Sequence, residues 1–203
     1  MLTLYSKGNS PRQIERVVRL LEDGGVIILP TDTVYAYCCH ALKERAVERI
    51  CKLRNIDPRL HPLSILCSDL SQVSDFCRIS NAAFKLLRRN LPGAFTFILP
   101  ATGRLPKAFH AGSRREVGIR MPKNQILREI IESLGAPLMT ASLPIEDREP
   151  ECRLVPELVE EEYGGQVDLV VDGGEGHEGH STVVSCIADE PEVLREGDGE
   201  LQY

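Results

Sequence analysis

No apolar run in this 203-residue sequence approaches the roughly 20 residues that a bilayer-spanning helix needs, so no membrane segment is expected. The opening MLTLYSKGNSPRQ lacks the basic start and apolar core of a secretory leader, and a cytoplasmic location is the expectation that follows. The seven cysteines, Cys38, Cys39, Cys51, Cys67, Cys77, Cys152 and Cys186, are odd in number and include no C-x-x-C pair. That disfavours a disulfide framework or a zinc site and leaves buried free thiols. Ser-His-Asp, H-E-x-x-H and G-x-G-x-x-G patterns are all missing, so proteolytic and dinucleotide-binding readings have no anchor. Internal repeats and low-complexity tracts are missing too, and the length fits one compact domain.

Acidic residues are scarce early and basic ones scarce late. Residues 1–135 hold 21 Lys/Arg against 12 Asp/Glu, residues 136–203 hold 3 against 18, and the whole chain carries −6. Net acidity argues against sequence-blind nucleic-acid binding. The basic first part either serves a local anionic ligand or is balanced by the acidic last part in the folded state.

Hydrophobic periodicity supplies the elements. Ile14, Val17, Val18 and Leu21 form one apolar stripe behind Ser10 and Pro11, a capped helix that ends at Gly24–Gly25. VIILP (26–30) reads as a strand covered on both faces, after which TDTVYAYCCHA (31–41) leaves the core. Helices are expected at 43–54, 69–77, 80–90, 124–135 (closed by Gly135) and 156–165. Further strands are expected at 63–67, 94–100, 116–122, 137–142 and 167–174, with a late antiparallel pair at 181–188 and 191–196. The charged stretch 146–153 reads as an exposed loop. The expected fold class is α/β: a single-domain twisted, mixed sheet of about seven strands flanked by helices.

Several stretches carry candidate chemistry. In CKLRNIDPRLHPL (51–63), Lys52 and Arg54 close a helix, where the dipole alone favours cations by ~0.3–1 kcal/mol. Arg59 and His61 lie beyond it, and a loop with this many cations suits a bound anion such as phosphate. In PTDTVYA (30–36), Thr31, Asp32 and Thr33 follow a buried strand and either meet a small polar ligand or form an Asx-type turn. Arg120 interrupts the apolar strand EVGIRMP and shares a face with Gly118, pointing either to solvent or to a fixed anion. Thr140 and Ser142 share a face at a strand end, lining a pocket or capping a turn. The glycine-rich VDGGEGHEGHSTV (171–183) precedes Ser181 and offers either backbone N–H groups for a phosphate or a flexible surface loop; it lacks the lysine of a Walker A loop. His177 and His180 are too weak a pair to assign a metal site, and Arg195 in LREG means little alone.

Taken in order, PTDTVYA, Lys52-Leu53-Arg54, PGAFTFIL (92–99), VGIRMP, TAS, STVV and LREG resemble the YrdC/YciO family of threonylcarbamoyl-AMP synthase-like proteins, from about Ser10 to Gly197. The resemblance implies a YrdC/RibB-like fold around a large basic cavity. It also implies synthesis of threonylcarbamoyl-AMP from L-threonine, bicarbonate and ATP, with pyrophosphate released, Mg²⁺ on the phosphates and the product feeding a tRNA modification. Carried over by position, Lys52 and Arg54 would hold the ATP phosphates as the catalytic cations. Thr33, Arg120, Thr140, Ser142 and Ser181 would bind substrate, Arg120 taking the threonine carboxylate. Ser142 and Arg195 would stand on the nucleotide (ATP or AMP) side. The family is also associated with binding double-stranded RNA, so a tRNA- or RNA-binding module without synthase activity is the alternative. Two departures match the YciO branch: Leu143 and Pro144 follow Ser142 where synthases carry S-x-N, and His61 replaces a lysine or arginine.

Overall fold

The computed structural model describes residues 1–110, 115–144 and 149–203. In chain order the elements are β1 (Leu2–Thr3), α1 (Pro11–Glu22), β2 (Val26–Leu29), β3 (Ala36–His40), α2 (Glu44–Leu53), β4 (Ser64–Leu66), α3 (Leu70–Phe76), α4 (Asn81–Asn90), β5 (Phe95–Pro100), β6 (Glu116–Arg120), α5 (Gln125–Leu134), β7 (Leu138–Ser142), α6 (Pro156–Tyr163), β8 (Leu169–Asp172), β9 (Thr182–Ser185) and β10 (Glu192–Arg195). The helix signals act as the sequence implies. Ser10 Oγ accepts from Gln13 N at 3.3 Å while Gln13 Oε1 accepts from Ser10 N at 3.0 Å, a reciprocal cap. Gly135 ends α5 in the left-handed region at φ 67°, where a side chain would be strained.

The strands form one mixed sheet in the order β1-β8-β2-β3-β7-β4-β6-β5-β9-β10. This corrects the expected strand count of about seven to ten. The segment 31–41 does not leave the core: β3 lies mid-sheet, antiparallel to both β2 and β7, and Tyr35 through Cys39 are no more than 1% exposed. Its mixture of tyrosine, alanine and cysteine hid a strand buried on both faces, which shows no alternation. The two phenols are satisfied locally. Tyr35 Oη donates to Gly174 O at 2.7 Å and accepts from Gly173 N at 3.1 Å, while Tyr37 Oη meets Gln166 Oε1 at 2.9 Å. In the charged stretch 146–153, residues 146–148 lie outside the described part. Pro150–Arg153 is a short 3₁₀ turn whose Arg153 carbonyl accepts from Tyr35 N at 3.0 Å.

Helices cover the two faces unequally. One face carries Val26, Ile28, Tyr35, Tyr37, Cys39, Ile65, Phe97, Ile119 and Met139 under α2, α3, α4 and α6. The other is covered only at one end, where α1 and α5 bring Ile14, Val17, Leu21, Ile126, Leu127, Ile130 and Ile131 onto Ile27, Leu29, Ala36, Cys38, Leu66 and Leu138. Each fully buried side chain of this kind contributes ~1.5–3 kcal/mol. Past β4 that second face has no helix above it among the described residues, and the strands there turn Ser64, Gly118, Arg120, Thr96, Ile98 and Val183 into a cavity. Among the described residues no helix is long and apolar enough to cross a membrane.

Candidate functional site

The uncovered half-face is the floor of a cavity of about 360 Å³. Sheet register explains its lining. Ser64 stands opposite Thr140 on one side and Gly118 on the other, and Gly118 stands opposite Ile98. A Cβ at Gly118 would collide with Ser64 Oγ and come within 3.0 Å of Thr96 Cγ2, so glycine keeps the floor open. At the far edge β10 pairs antiparallel with β9, and its register shifts between Val193 and Arg195. That bulge places Arg195 rather than Leu194 opposite Val183, and so aims the guanidinium at the cavity.

Five expected residues meet here: Arg120, Thr140, Ser142, Ser181 and Arg195 all line the cavity. Arg120 is buried, and its Nη2 donates to Asp32 Oδ1 at 2.6 Å. The Asp32 carboxylate is thus held by Arg120, and the local turn in PTDTVYA is made by Thr31, whose Oγ1 accepts from Thr33 N at 3.0 Å and donates to Val34 O at 2.7 Å. Arg195 Nη2 donates to Ser181 O at 2.9 Å and to Ser181 Oγ at 3.3 Å, and Ser181 Oγ shares a hydrogen bond of 2.8 Å with Thr96 Oγ1. The lining holds two arginines, His61 and five hydroxyls, and among the described residues no carboxylate.

Sequence reasoning missed Ser64 and Thr96. Each is a lone polar residue inside an apolar strand, the same signal that exposed Arg120, but a small hydroxyl is a common strand residue and draws less notice. Cys38 stands opposite Thr140 with its thiol 3.7 Å from Thr140 Oγ1, and burial pushes that thiol up to about 12. Burial also raises Cys39 well above the ordinary thiol value. Neither is a nucleophile at neutral pH.

Three expected residues are not on the cavity lining. Thr33 is 2% exposed, its hydroxyl turned to that of Thr31 at 3.2 Å and its carbonyl accepting from His177 N at 3.1 Å. Lys52 borders a separate hollow of about 390 Å³ with Glu48, Asn55, Asp57 and Pro58. Arg54 caps the C-terminal end of α2, with its Nε buried and unpartnered. The loop after it reverses at Asn55, φ 49°, and runs to His61 and Pro62 on the cavity rim. Part of its charge is answered within the chain. Arg59 pairs with Asp57 at 2.7 Å, and the hydrogen bonds from Arg59 hold the Asp57 carboxyl down at about 2.

Comparison with known proteins identifies the family and the fold. A family model described as "Telomere recombination" (Sua5/YciO/YrdC) matches residues 19–197. YciO of Escherichia coli K12 is 36% identical over 200 residues, covering 98% of this chain and 96% of its own. The E. coli YciO crystal structure superposes with a TM-score of 0.90 at 35% identity, covering 98% of this chain and 96% of that one. The threonylcarbamoyl-AMP synthase of Bacillus subtilis is 31% identical over 191 residues, 93% of this chain and 54% of the relative. Sua5 of Pyrococcus abyssi, solved in complex with L-threonine, superposes with a TM-score of 0.85 at 27% identity, covering 97% of this chain and 57% of that one. With ten strands that leave half of one face open, an arginine-and-hydroxyl cavity on that half, and a family match over most of its length, the chain belongs to the Sua5/YciO/YrdC family.

Proposed function

We propose that the cavity takes an amino-acid carboxylate at Arg120 and nucleotide phosphates at Arg195, and that the protein is a threonylcarbamoyl-AMP synthase or a close relative of one. The observation that carries this reading is the convergence of Arg120, Thr140, Ser142, Ser181 and Arg195, drawn from three strands and a strand entry, on one hollow whose described lining has no carboxylate. A family relative that holds L-threonine supports it. In the reaction the threonine amine becomes a carbamate, a carbamate oxygen attacks the α-phosphate of ATP, and pyrophosphate leaves. The chain's work is to position two anions against each other and offset their repulsion, which fixed cations and hydroxyl donors do without a nucleophile of their own. Thr140, Ser142, Ser64 and Thr96 supply the donors between the arginines. Lys52 and Arg54, at the C-terminal end of α2, enter this reading as cations for the outer phosphates, just before the loop that runs to the rim. Among the described residues the lining offers no carboxylate for Mg²⁺, so they do not build a metal site.

The test is pyrophosphate release from ATP by the purified chain. The reading predicts release that requires both L-threonine and bicarbonate; release that ignores either one, or none from a folded protein, contradicts it. One observation favours a second reading. Pro144 is buried where synthases carry an asparagine, and proline has neither a side-chain donor nor an N–H. If that loss abolishes the chemistry, the cavity serves a nucleotide- or RNA-binding module, and binding of tRNA or duplex RNA should then fall steeply with salt.

A further inference from the structure

The two arginines of the cavity have unlike partners. Arg120 is paired with a carboxylate: its side chain and that of Asp32 are only 7% and 11% exposed, and they meet at 2.6 Å. Among the described residues Asp32 Oδ2 is buried with no donor, and Arg120 Nε is buried with no acceptor. Among them, the residual negative charge of Asp32 is therefore dispersed onto no other group. Arg195, by contrast, is exposed and donates to the carbonyl and hydroxyl of Ser181, both neutral. Strand order puts β5 and β9 between β6, which carries Arg120, and β10, which carries Arg195. At ~4.8 Å per strand the two backbones stand roughly 14 Å apart.

An anion arriving at Arg120 meets a counter-charge already in place behind it. A carboxylate brings one negative charge, whereas a phosphate monoester brings about −1.5 to −2. An opposite charge within about 4–6 Å shifts a group's ionisation by about 1–3 pK units, a factor of ten or more, and a like charge acts in the opposite sense. The second charge of a phosphate makes Arg120 the worse of the two subsites for it, and Arg195 carries no such handicap.

We propose that Asp32 is the positioning and selectivity residue of this cavity. It holds Arg120 against the floor and reserves it for a monoanionic carboxylate, which leaves Arg195 as the phosphate subsite and fixes the direction in which a two-anion ligand set can bind. Asp32 does not line the cavity; it acts through Arg120. The proposal rests on the reading that a carboxylate and a phosphate share this hollow.

The experiment is competitive binding by calorimetry, with L-threonine and inorganic phosphate as probes and no turnover. In the unmodified protein, saturating phosphate leaves L-threonine bound, and phosphate affinity depends on Arg195. Asp32→Asn keeps an oxygen for Arg120 but removes the charge. In that variant phosphate binds at least about tenfold more tightly and displaces L-threonine. The phosphate gain vanishes in the double variant Asp32→Asn/Arg120→Gln, which leaves no buried charge unpaired. A merely structural Asp32 weakens both probes together and leaves their competition unchanged; that result overturns the proposal, as does displacement of L-threonine by phosphate in the unmodified protein. If L-threonine binds nowhere, the reading of the function fails, and acetate takes its place as the carboxylate probe. A phosphate gain in Asp32→Asn that does not depend on Arg120 then overturns the assignment of Asp32 independently.

Discussion

Arg120 shows what one residue's surroundings decide. A buried ion pair is weak evidence of net stability, but removing one partner costs ~3–5 kcal/mol because the other charge is left without compensation. Arg120→Ala is therefore expected to destabilise the fold by about that amount in denaturant titration, whereas Asp32→Asn/Arg120→Gln, which removes both charges, costs clearly less; equal losses would mean that the pair is not the cause. The sequence marked Arg120 because an arginine between Ile119 and Met121 breaks an apolar strand. It could not show that the counter-charge comes from Asp32, 88 residues away. In the loop at 51–63 part of the positive charge is answered close by, where Asp57 pairs with Arg59. The Asp57 carboxyl is held down at about 2, first by the Arg59 side-chain hydrogen bond. A depressed carboxylate contributes its stabilisation above its unfolded value near 4 and loses it as pH falls through the folded value. An NMR titration should therefore place the Asp57 midpoint near 2 and return it to the ordinary carboxylate range in Arg59→Ala.

At the scale of elements, periodicity was a sound guide wherever only one face is buried. The apolar stripe and Ser10 cap of α1 and the Gly135 stop of α5 stand where the sequence put them. It failed for β3, buried on both faces, and for β1, whose two residues are too few to show any pattern. Nor could it reveal the bulge in β10, although that bulge decides which side chain reaches the cavity. Val193 opposes Val184 and Arg195 opposes Val183, so Leu194 is the extra residue. Deleting Leu194 is expected to leave the arginine facing the cavity and to change phosphate affinity by less than about threefold, since it removes only the unpaired residue. Inserting one more residue after Leu194 should instead turn the arginine away and abolish Arg195-dependent phosphate binding. If deletion were the harmful change, the register opposite Val183 would not be what aims the arginine.

For the molecule as a whole, the site exists because two helices cover only half of a ten-stranded face, a consequence of topology that no single stretch of sequence displays. Ordered motif matches recovered the cavity residues of β6, β7 and β10 and Ser181 at the entry to β9, because each keeps its residue type in its place along the chain. They did not recover the hydroxyls of Ser64 and Thr96, which register brings alongside. The last residues of the chain also belong to this assembly. Asn90 exchanges hydrogen bonds with the backbone of Gln202 at 2.8 and 2.9 Å, Thr182 Oγ1 donates to Gly199 O at 2.6 Å, and Leu201 packs on the larger core. Ending the chain after Glu196 is expected to cost roughly 2–4 kcal/mol of stability in thermal or urea unfolding, and to loosen the Ser181–Arg195 corner beside it. Unchanged unfolding would show that the tail merely rests on the surface.

The central claim is that one cavity seats a carboxylate at Arg120 and phosphates at Arg195. A crystal structure of the chain with L-threonine and a non-hydrolysable ATP analogue tests it most directly. The account predicts the threonine carboxylate on the Arg120 guanidinium and the analogue's phosphates on the Arg195 side of the same hollow. Density for both ligands elsewhere on the surface, with the cavity holding only solvent, would contradict it.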